Sequence, residues 1–132
     1  MRNHQPRILL IEDSEDILFL MSAELESMGY EVAAARDGEH GLELAQFNPP
    51  DLIVSDVQMP GIGGLGFIRR IRQIPRLARV PAVAVTGFSM DADVKRLLDY
   101  GFTAYLVKPV DPSDLASLIQ ELTEPKKLIR AS

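Results

Sequence analysis

The feature that most constrains the fold of this chain is a fivefold alternation of short apolar runs with longer amphipathic stretches. In the amphipathic stretches, apolar residues recur three or four positions apart, which is the spacing of one face of a helix. The apolar runs have the length of buried strands: Arg7–Ile11, Glu31–Ala35, Leu52–Ser55, Ala82–Thr86 and Phe102–Val107. Strands joined through helices pair in parallel and are covered on both faces, so the chain is predicted to be one doubly wound α/β domain.

Capping and breaking residues indicate where the helices begin and end. Ser14 is expected to cap helix 1 and Gly29 to end it, because serine accepts a hydrogen bond at a helix start and glycine tolerates the turn at a helix end. Helices 4 and 5 are predicted over Asp91–Tyr100 and Ser113–Leu122.

Helix 3 is expected to begin late, after a glycine-rich loop over Met59–Gly66. Glycine has low helix propensity because ordering its backbone costs more entropy than ordering that of any other residue. The segment with Phe67, Ile68 and Ile71 is therefore predicted to be the helix, and the glycines before it are predicted to be a loop.

Length, charge and cysteine content exclude several classes of protein. With 132 residues the chain is long enough for one domain, which we assign to residues 1–122, leaving 123–132 as a tail or linker stump. The net charge of −5 argues against direct nucleic-acid binding, and the absence of cysteine excludes disulfides and thiolate metal sites. No apolar run approaches the roughly 18 residues of a membrane span, so a cytoplasmic protein is expected.

The predicted strands end in polar residues that would meet at one edge of a parallel sheet. These residues are Glu12 and Asp13 after strand 1, Asp56 after strand 3, Thr86 in strand 4 and Lys108 after strand 5. Ligands of open parallel sheets bind beyond the carboxyl ends of the strands, where the strand order reverses. We therefore expect three carboxylates, one hydroxyl and one ammonium group to converge on one cleft.

Three carboxylates in one cleft indicate a bound cation, because without one they would repel each other and one would take up a proton. Oxygen ligands without histidine or cysteine select a hard ion such as Mg²⁺. We predict that Asp13, Asp56 and the backbone carbonyl of Gln58 bind the ion directly. Glu12 would act on the ion through a water or from outside the set of residues that bind it directly. With the cation bound, Asp56 can attack phosphorus as a nucleophile while the Lys108 ammonium stabilises charge on the transferring oxygens.

Four stretches of the chain carry a resemblance to a known family: RILLIEDSED, DLIVSDVQMPG, PAVAVTG and GFTAYLVKPV. In this order and spacing they resemble the receiver domains of response regulators in two-component signalling, over about residues 5–122. The resemblance implies a flavodoxin-like receiver fold with five helices and a parallel sheet in the strand order 2-1-3-4-5. It also implies a signalling phosphoacceptor, which is not an enzyme in the usual sense, and Mg²⁺ or Mn²⁺ as the cofactor.

The resemblance assigns roles to the acidic and basic residues of the predicted cleft. Glu12 and Asp13 match the acidic pair of the family, and Asp56 matches its phosphorylation site. Lys108 matches the site lysine, and the peptide bond between Lys108 and Pro109 is implied to be cis.

The resemblance further implies a conformational switch. Thr86 matches the hydroxyl residue that binds the new phosphoryl group, and Tyr105 matches the aromatic residue that turns into the space left behind. The face formed by helix 4, strand 5 and helix 5 then changes what it binds.

The same resemblance names the kinds of partner. A histidine kinase or phosphotransfer protein would donate the phosphoryl group, and a downstream target or an output domain of the same protein would bind the switching face. Self-association as a homodimer is left open. A free-standing regulator and the receiver of a hybrid histidine kinase both fit the sequence.

Three other functions fit the same architecture. A flavodoxin-like flavin or nucleotide binder would need a phosphate-binding loop after strand 1, but the residues there are acidic and attract cations. A magnesium-dependent phosphatase with an aspartyl nucleophile would need an acid–base aspartate two residues later, where Gln58 stands. The main alternative is a phosphorylation-independent protein-interaction module on the receiver fold, although such modules usually lack one of the site residues.

A basic cluster occupies helix 3 and the loop after it: Arg69, Arg70, Arg72, Arg76 and Arg79. Charge runs of this kind are mostly solvated faces. We therefore interpret the cluster as a solvated face that balances an acidic protein, in preference to a docking patch.

Overall fold

The computed structural model describes residues 5–87 and 91–124, except for the side chains of residues 91 and 92. Within these ranges, strands and helices alternate in the predicted order. The strands are β1 (Arg7–Ile11), β2 (Glu31–Ala35), β3 (Leu52–Asp56), β4 (Ala82–Thr86) and β5 (Ala104–Val107). The helices are α1 (Glu15–Ser27), α2 (Gly38–Phe47), α3 (Gly63–Arg72), α4 (Asp91–Tyr100) and α5 (Pro112–Thr123), and a short 3-10 helix spans Pro75–Leu77.

Side chains cap the first two helices. The Ser14 hydroxyl accepts a hydrogen bond from the N–H of Ile17 (3.4 Å), and the Asp37 carboxylate accepts one from the N–H of His40 (2.8 Å). Each cap satisfies a donor that the first turn of a helix leaves unpaired. Gly29 follows α1 with a φ of 97°, a left-handed backbone that favours glycine. The predicted start and end of helix 1 are confirmed.

The five strands form one parallel sheet in the order β2-β1-β3-β4-β5. β1 pairs with β2 on one side and with β3 on the other, so that Leu10 lies between Ala34 and Val54. This confirms the predicted fold. The chain adds β2 on one side of β1 and then adds β3, β4 and β5 in turn on the other side. The strand order therefore reverses between β1 and β3.

Alternate residues of each central strand face opposite layers of helices. In β1, Ile8 and Leu10 pack with residues of α1 and α5, whereas Leu9 and Ile11 pack with residues of α2, α3 and α4. All four side chains are buried. Because both faces of the strand are covered, its sequence is continuously apolar and shows no polar alternation.

Helix α3 begins at Gly63, so the expectation of a loop that continues to Gly66 is wrong. The N–H of Gly64 donates to the Val57 carbonyl (2.9 Å), and a Cβ at Gly64 would collide with the carbonyl oxygen of Asp56. The first turn of the helix therefore packs directly against the end of β3 at a residue without a side chain. This tertiary packing outweighs the low helix propensity of glycine.

Arg72 is half-buried and does not belong to the solvated face predicted for the basic cluster. Its Nε donates to the Gly101 carbonyl (2.9 Å), and its Nη1 donates to the carbonyls of Val80 (2.6 Å) and Ala78 (3.1 Å). These bonds tie α3 to the loop before β4 and to the turn after α4. The other four arginines of the cluster are exposed.

Four further element boundaries differ from the predicted ones by one or two residues: β3 ends at Asp56, β5 begins at Ala104, and α5 begins at Pro112 and ends at Thr123. β5 begins at Ala104, because the N–H of Phe102 donates to the Leu97 carbonyl and Phe102 so belongs to the turn after α4. Helix α5 continues one residue beyond the predicted domain boundary, to Thr123, and residues 125–132 of the predicted tail lie outside the described residues. Within residues 5–87 and 91–124, no helix has the length and apolar character needed to cross a membrane.

Candidate functional site

The polar residues predicted at the strand ends lie at one edge of the sheet. Asp56 is the last residue of the central strand β3, and its side chain is 3% exposed. Glu12 and Asp13 follow β1, Thr86 ends β4 and Lys108 follows β5. The site therefore occupies the crevice at which the strand order reverses.

The Asp56 carboxylate forms an ion pair with Lys108. The Nζ of Lys108 lies 2.9 Å from Oδ2 of Asp56, and the N–H of Gln58 donates to Oδ1 (3.3 Å). The backbone of Lys108 is placed by β4, because its N–H donates to the Thr86 carbonyl (2.8 Å). A hydrogen bond between charged groups at a buried carboxylate is stronger than one between neutral groups.

Two further carboxylates lie close to Asp56. One oxygen each of Glu12, Asp13 and Asp56 lies within 4.8 Å of the other two. Glu12 is as buried as Asp56, and its Oε2 accepts a hydrogen bond from the N–H of Ser14 (3.0 Å). One ammonium group cannot neutralise three carboxylates, and a cluster of oxygen donors at this spacing suits a hard cation. The donor set therefore fits Mg²⁺.

Burial and the neighbouring Asp56 carboxylate raise the pKa of Glu12 to about 7. Burial is the main cause, since it disfavours the charged form, and the negative charge of Asp56 adds to it. The hydrogen bond from Ser14 and the ammonium of Lys108 act in the opposite direction. Burial by itself would lower the pKa of Lys108, but the hydrogen bond to Asp56 and the surrounding carboxylates outweigh it, so the pKa of Lys108 is raised.

Thr86 and Tyr105 lie on neighbouring strands at different depths from the crevice. Thr86 is buried at the end of β4. Tyr105 is opposite Ala84 in the β4–β5 pairing and is half-buried against the cluster that α2, α3 and α4 share with the sheet. The peptide bond between Lys108 and Pro109 is cis.

Two cationic side chains beside the site were missed by the sequence reasoning. Arg36 follows β2, and its Nη2 donates to the backbone carbonyl of Asp13 (3.5 Å). Its position directly after a strand is the same signal that identified Asp56, so it could have been found. Arg96 of α4 lines a cleft together with Thr86, and no strand-end signal marks it because it lies within a helix.

Comparison with known proteins identifies the family. A family model for the response regulator receiver domain matches residues 8–120. The polar-differentiation response regulator DivK of Brucella anthropi is 35% identical over 103 residues, which are 78% of this chain and 84% of DivK. The chemotaxis response regulator CheY4 of Vibrio cholerae matches with a TM-score of 0.86 and 31% identity, over 90% of this chain and 99% of CheY4.

A third similar structure bears on the metal. It is the receiver domain of a sensor histidine kinase from Pseudomonas aeruginosa PAO1, with a magnesium ion coordinated in its active-site cleft. This chain matches it with a TM-score of 0.84 and 30% identity, over 91% of this chain and 98% of that one.

The chain therefore belongs to the family of response regulator receiver domains. Receiver domains are signalling modules of two-component systems, and the cluster of Glu12, Asp13 and Asp56 is consistent with a phospho-accepting site of this kind.

Proposed function

We propose that Asp56 accepts a phosphoryl group from the phosphohistidine of a histidine kinase or phosphotransfer protein in the cytoplasm. The observation that carries this proposal is the set of charged groups around the buried Asp56 carboxylate. The Asp56 side chain has the Lys108 ammonium 2.9 Å from Oδ2 and two further carboxylates within 4.8 Å. Buried groups crowded by like charges and paired with a specific partner are frequent at functional sites, since they are costly as structural elements.

In the proposed transfer, a carboxylate oxygen of Asp56 attacks phosphorus. The bond between phosphorus and the histidine nitrogen breaks, and its electron pair leaves with the imidazole. Lys108 orients the carboxylate and stabilises charge on the oxygens of the transferred group. Water later hydrolyses the acyl phosphate and restores Asp56, so the chain catalyses only its own phosphorylation and dephosphorylation.

The proposed metal ligands are Asp13, Asp56 and the backbone carbonyl of Gln58, with Glu12 acting through a water or from behind them. Bound Mg²⁺ or Mn²⁺ would neutralise the carboxylates that otherwise repel an anionic phosphoryl group. The spacing of the three carboxylates supports this assignment.

We propose that the phosphoryl donor docks on an apolar groove beside the site. The groove has a volume of about 540 Å³ and lies between α1, which contributes Ile17 and Leu20, and the segment after β5, which contributes Pro109 and Val110. Ile17 is 40% exposed and Leu20 is 60% exposed. Lys108 also lines the groove, so a donor helix with an apolar face would rest next to the reactive carboxylate.

The output surface is proposed to be the face of α4, β5 and α5. A phosphoryl group on Asp56 would draw the Thr86 hydroxyl toward it, and Tyr105 would turn inward from its half-buried position. Leu98 of α4 and Val107 of β5 are exposed apolar residues, at 47% and 38%, which supports a protein-binding role for this face. A phosphorylation effect of a few kcal/mol is enough to shift the population of such a face substantially.

The experiment that tests the proposal is intact-mass spectrometry after incubation with acetyl phosphate, with and without Mg²⁺. The wild type should gain one phosphoryl group only when Mg²⁺ is present, and Asp56→Asn should gain none. Asp99→Asn, which changes an exposed carboxylate of α4, is the matched control and should be phosphorylated like the wild type. No gain in the wild type, together with no binding of Mg²⁺, would favour the phosphorylation-independent interaction module.

A further inference from the structure

A second cleft opens beside the phosphoacceptor, between the segment after β3 and helix α4. It has a volume of about 210 Å³. Thr86 and Gln58 line it on the side of the sheet, and Asp93, Arg96 and Leu97 line it on the side of α4. Because the N–H of Gln58 donates to Oδ1 of Asp56, the cleft adjoins the carboxylate that is proposed to carry the phosphoryl group.

Among the described residues that line this cleft, Arg96 is the cation, and it also contacts an aromatic ring. Its Cζ lies 5.8 Å from the ring centroid of Tyr100, one turn further along α4. The guanidinium of Arg69, from α3, lies over the same ring at 5.3 Å. Cation–π contacts at exposed sites are weak, so a stronger anionic partner within reach would displace Arg96 from the ring.

We propose that Arg96 is a further phosphoryl-binding residue of this domain, which contacts Tyr100 in the unphosphorylated chain and turns into the cleft when Asp56 is phosphorylated. The proposal rests on the function proposed above, since it requires a phosphoryl group at Asp56.

The charges at the cleft supply the driving force for this movement. A phosphoryl group carries a charge of about −1.5 to −2 near neutral pH, which exceeds that of the carboxylate it modifies. The Asp93 carboxylate in the same cleft opposes this added charge. A guanidinium binds phosphate oxygens through two parallel hydrogen bonds and offsets both negative groups.

The movement would carry the phosphorylation signal to a second surface. Tyr100 is contacted by a guanidinium from α3 and by one from α4. Departure of Arg96 would leave Arg69 as the cation on that ring, so the exposed surface between α3 and α4 changes with phosphorylation. Because Tyr100 belongs to α4, this surface adjoins the proposed output face of α4, β5 and α5.

The test uses the full chain and beryllofluoride with Mg²⁺, which forms a tetrahedral phosphoryl analogue on a carboxylate. Affinity is measured by NMR titration. Arg96→Gln should weaken beryllofluoride binding by about three- to fivefold. Tyr100→Leu, which removes the competing ring, should strengthen it by about twofold. In the Arg96→Gln background, Tyr100→Leu should have no effect, because no guanidinium is left to release.

Two matched variants separate this competition from nonspecific changes. Tyr100→Phe keeps the ring face and should bind beryllofluoride like the wild type. Arg69→Gln removes the other guanidinium on the ring. Because Arg69 is not among the residues that line the cleft, this variant should also leave the affinity for beryllofluoride unchanged. In the wild type, the ring-current shift of the Arg96 δ protons should disappear on saturation with beryllofluoride.

The outcomes that overturn the proposal are distinct from those that overturn the proposed function. Wild-type affinity in Arg96→Gln, or weaker binding in Tyr100→Leu, would show that Arg96 does not exchange between ring and phosphoryl group. If the wild type does not bind beryllofluoride, or Asp56→Asn binds it equally well, the phosphoacceptor role of Asp56 fails and the role of Arg96 fails with it.

Discussion

The Nζ of Lys108 lies 2.9 Å from Oδ2 of Asp56, so the ammonium group that follows β5 forms an ion pair with the carboxylate that ends β3. Glu12 and Asp13 add two carboxylates within 4.8 Å. When all four groups are ionised, three negative charges face one positive charge and two negative charges are left over. A proton on Glu12 or a bound divalent cation relieves this excess, and the first two predictions follow from it.

Lys108→Met is expected to lower the free energy of unfolding without divalent cations by about 1–2 kcal/mol, because it leaves the buried Asp56 carboxylate without its charged partner. Methionine keeps most of the aliphatic chain, so the effect reports mainly on the charge. Urea unfolding at a pH above 7 measures it. Lys95→Met, which removes the exposed partner of Asp99 at 3.6 Å, is the control and should have no measurable effect. Equal stability of the two variants would contradict the prediction.

The pKa of Glu12, raised to about 7, predicts that Mg²⁺ binds more tightly as the pH rises from about 6 to about 8. Below the pKa the Glu12 carboxyl is protonated and contributes no charge to the cluster, and above it the carboxylate attracts the cation. The affinity should increase by at most about tenfold per pH unit and then level off.

Titration calorimetry in buffers with different ionisation enthalpies measures both the affinity for Mg²⁺ and the protons released. Glu12→Gln should bind Mg²⁺ more weakly above the pKa and should show little pH dependence in this window. A wild-type profile as flat as that of Glu12→Gln would show that Glu12 does not titrate with the metal.

Gly64→Ala is expected to destabilise the domain by about 1–3 kcal/mol, because the new methyl group would collide with the carbonyl oxygen of Asp56. Relief of the collision requires α3 to move away from the end of β3. Gly87→Ala is the matched control, since a Cβ at Gly87 would meet nothing within 4 Å. Thermal unfolding of both variants checks the difference. An equal unfolding midpoint would mean that the first turn of α3 does not pack against the end of β3.

Arg72→Met is expected to lower the free energy of unfolding by about 2 kcal/mol, because carbonyl groups of Gly101, Val80 and Ala78 lose a charged donor. Arg70→Met changes an exposed arginine of the same helix and should have no measurable effect in the same urea titration. If the two variants have the same free energy of unfolding, the hydrogen bonds of the half-buried Arg72 guanidinium do not stabilise the fold.

The candidate site could be located from the sequence because of a property of parallel sheets. Such sheets bring the carboxyl ends of all their strands to one edge, so a residue that ends a strand is placed once the strand is recognised. Asp56, Thr86 and Lys108 were found in this way. Arg96 was not, because its role beside the cleft depends on which face of α4 turns toward the segment after β3, and helical periodicity alone does not give this.

The order of the elements, the strand ends and the first helix caps were determined by the sequence itself, because they depend on apolar periodicity and on residues a few positions apart. Tertiary structure alone decided the relationships between distant segments. Lys108 and Asp56 are separated by 52 residues and Arg72 and Gly101 by 29, and each pair meets only in the folded chain. The start of α3 is decided in the same way, since the local propensity of its glycines disfavours a helix, whereas the close packing of Gly64 against the end of β3 stabilises one.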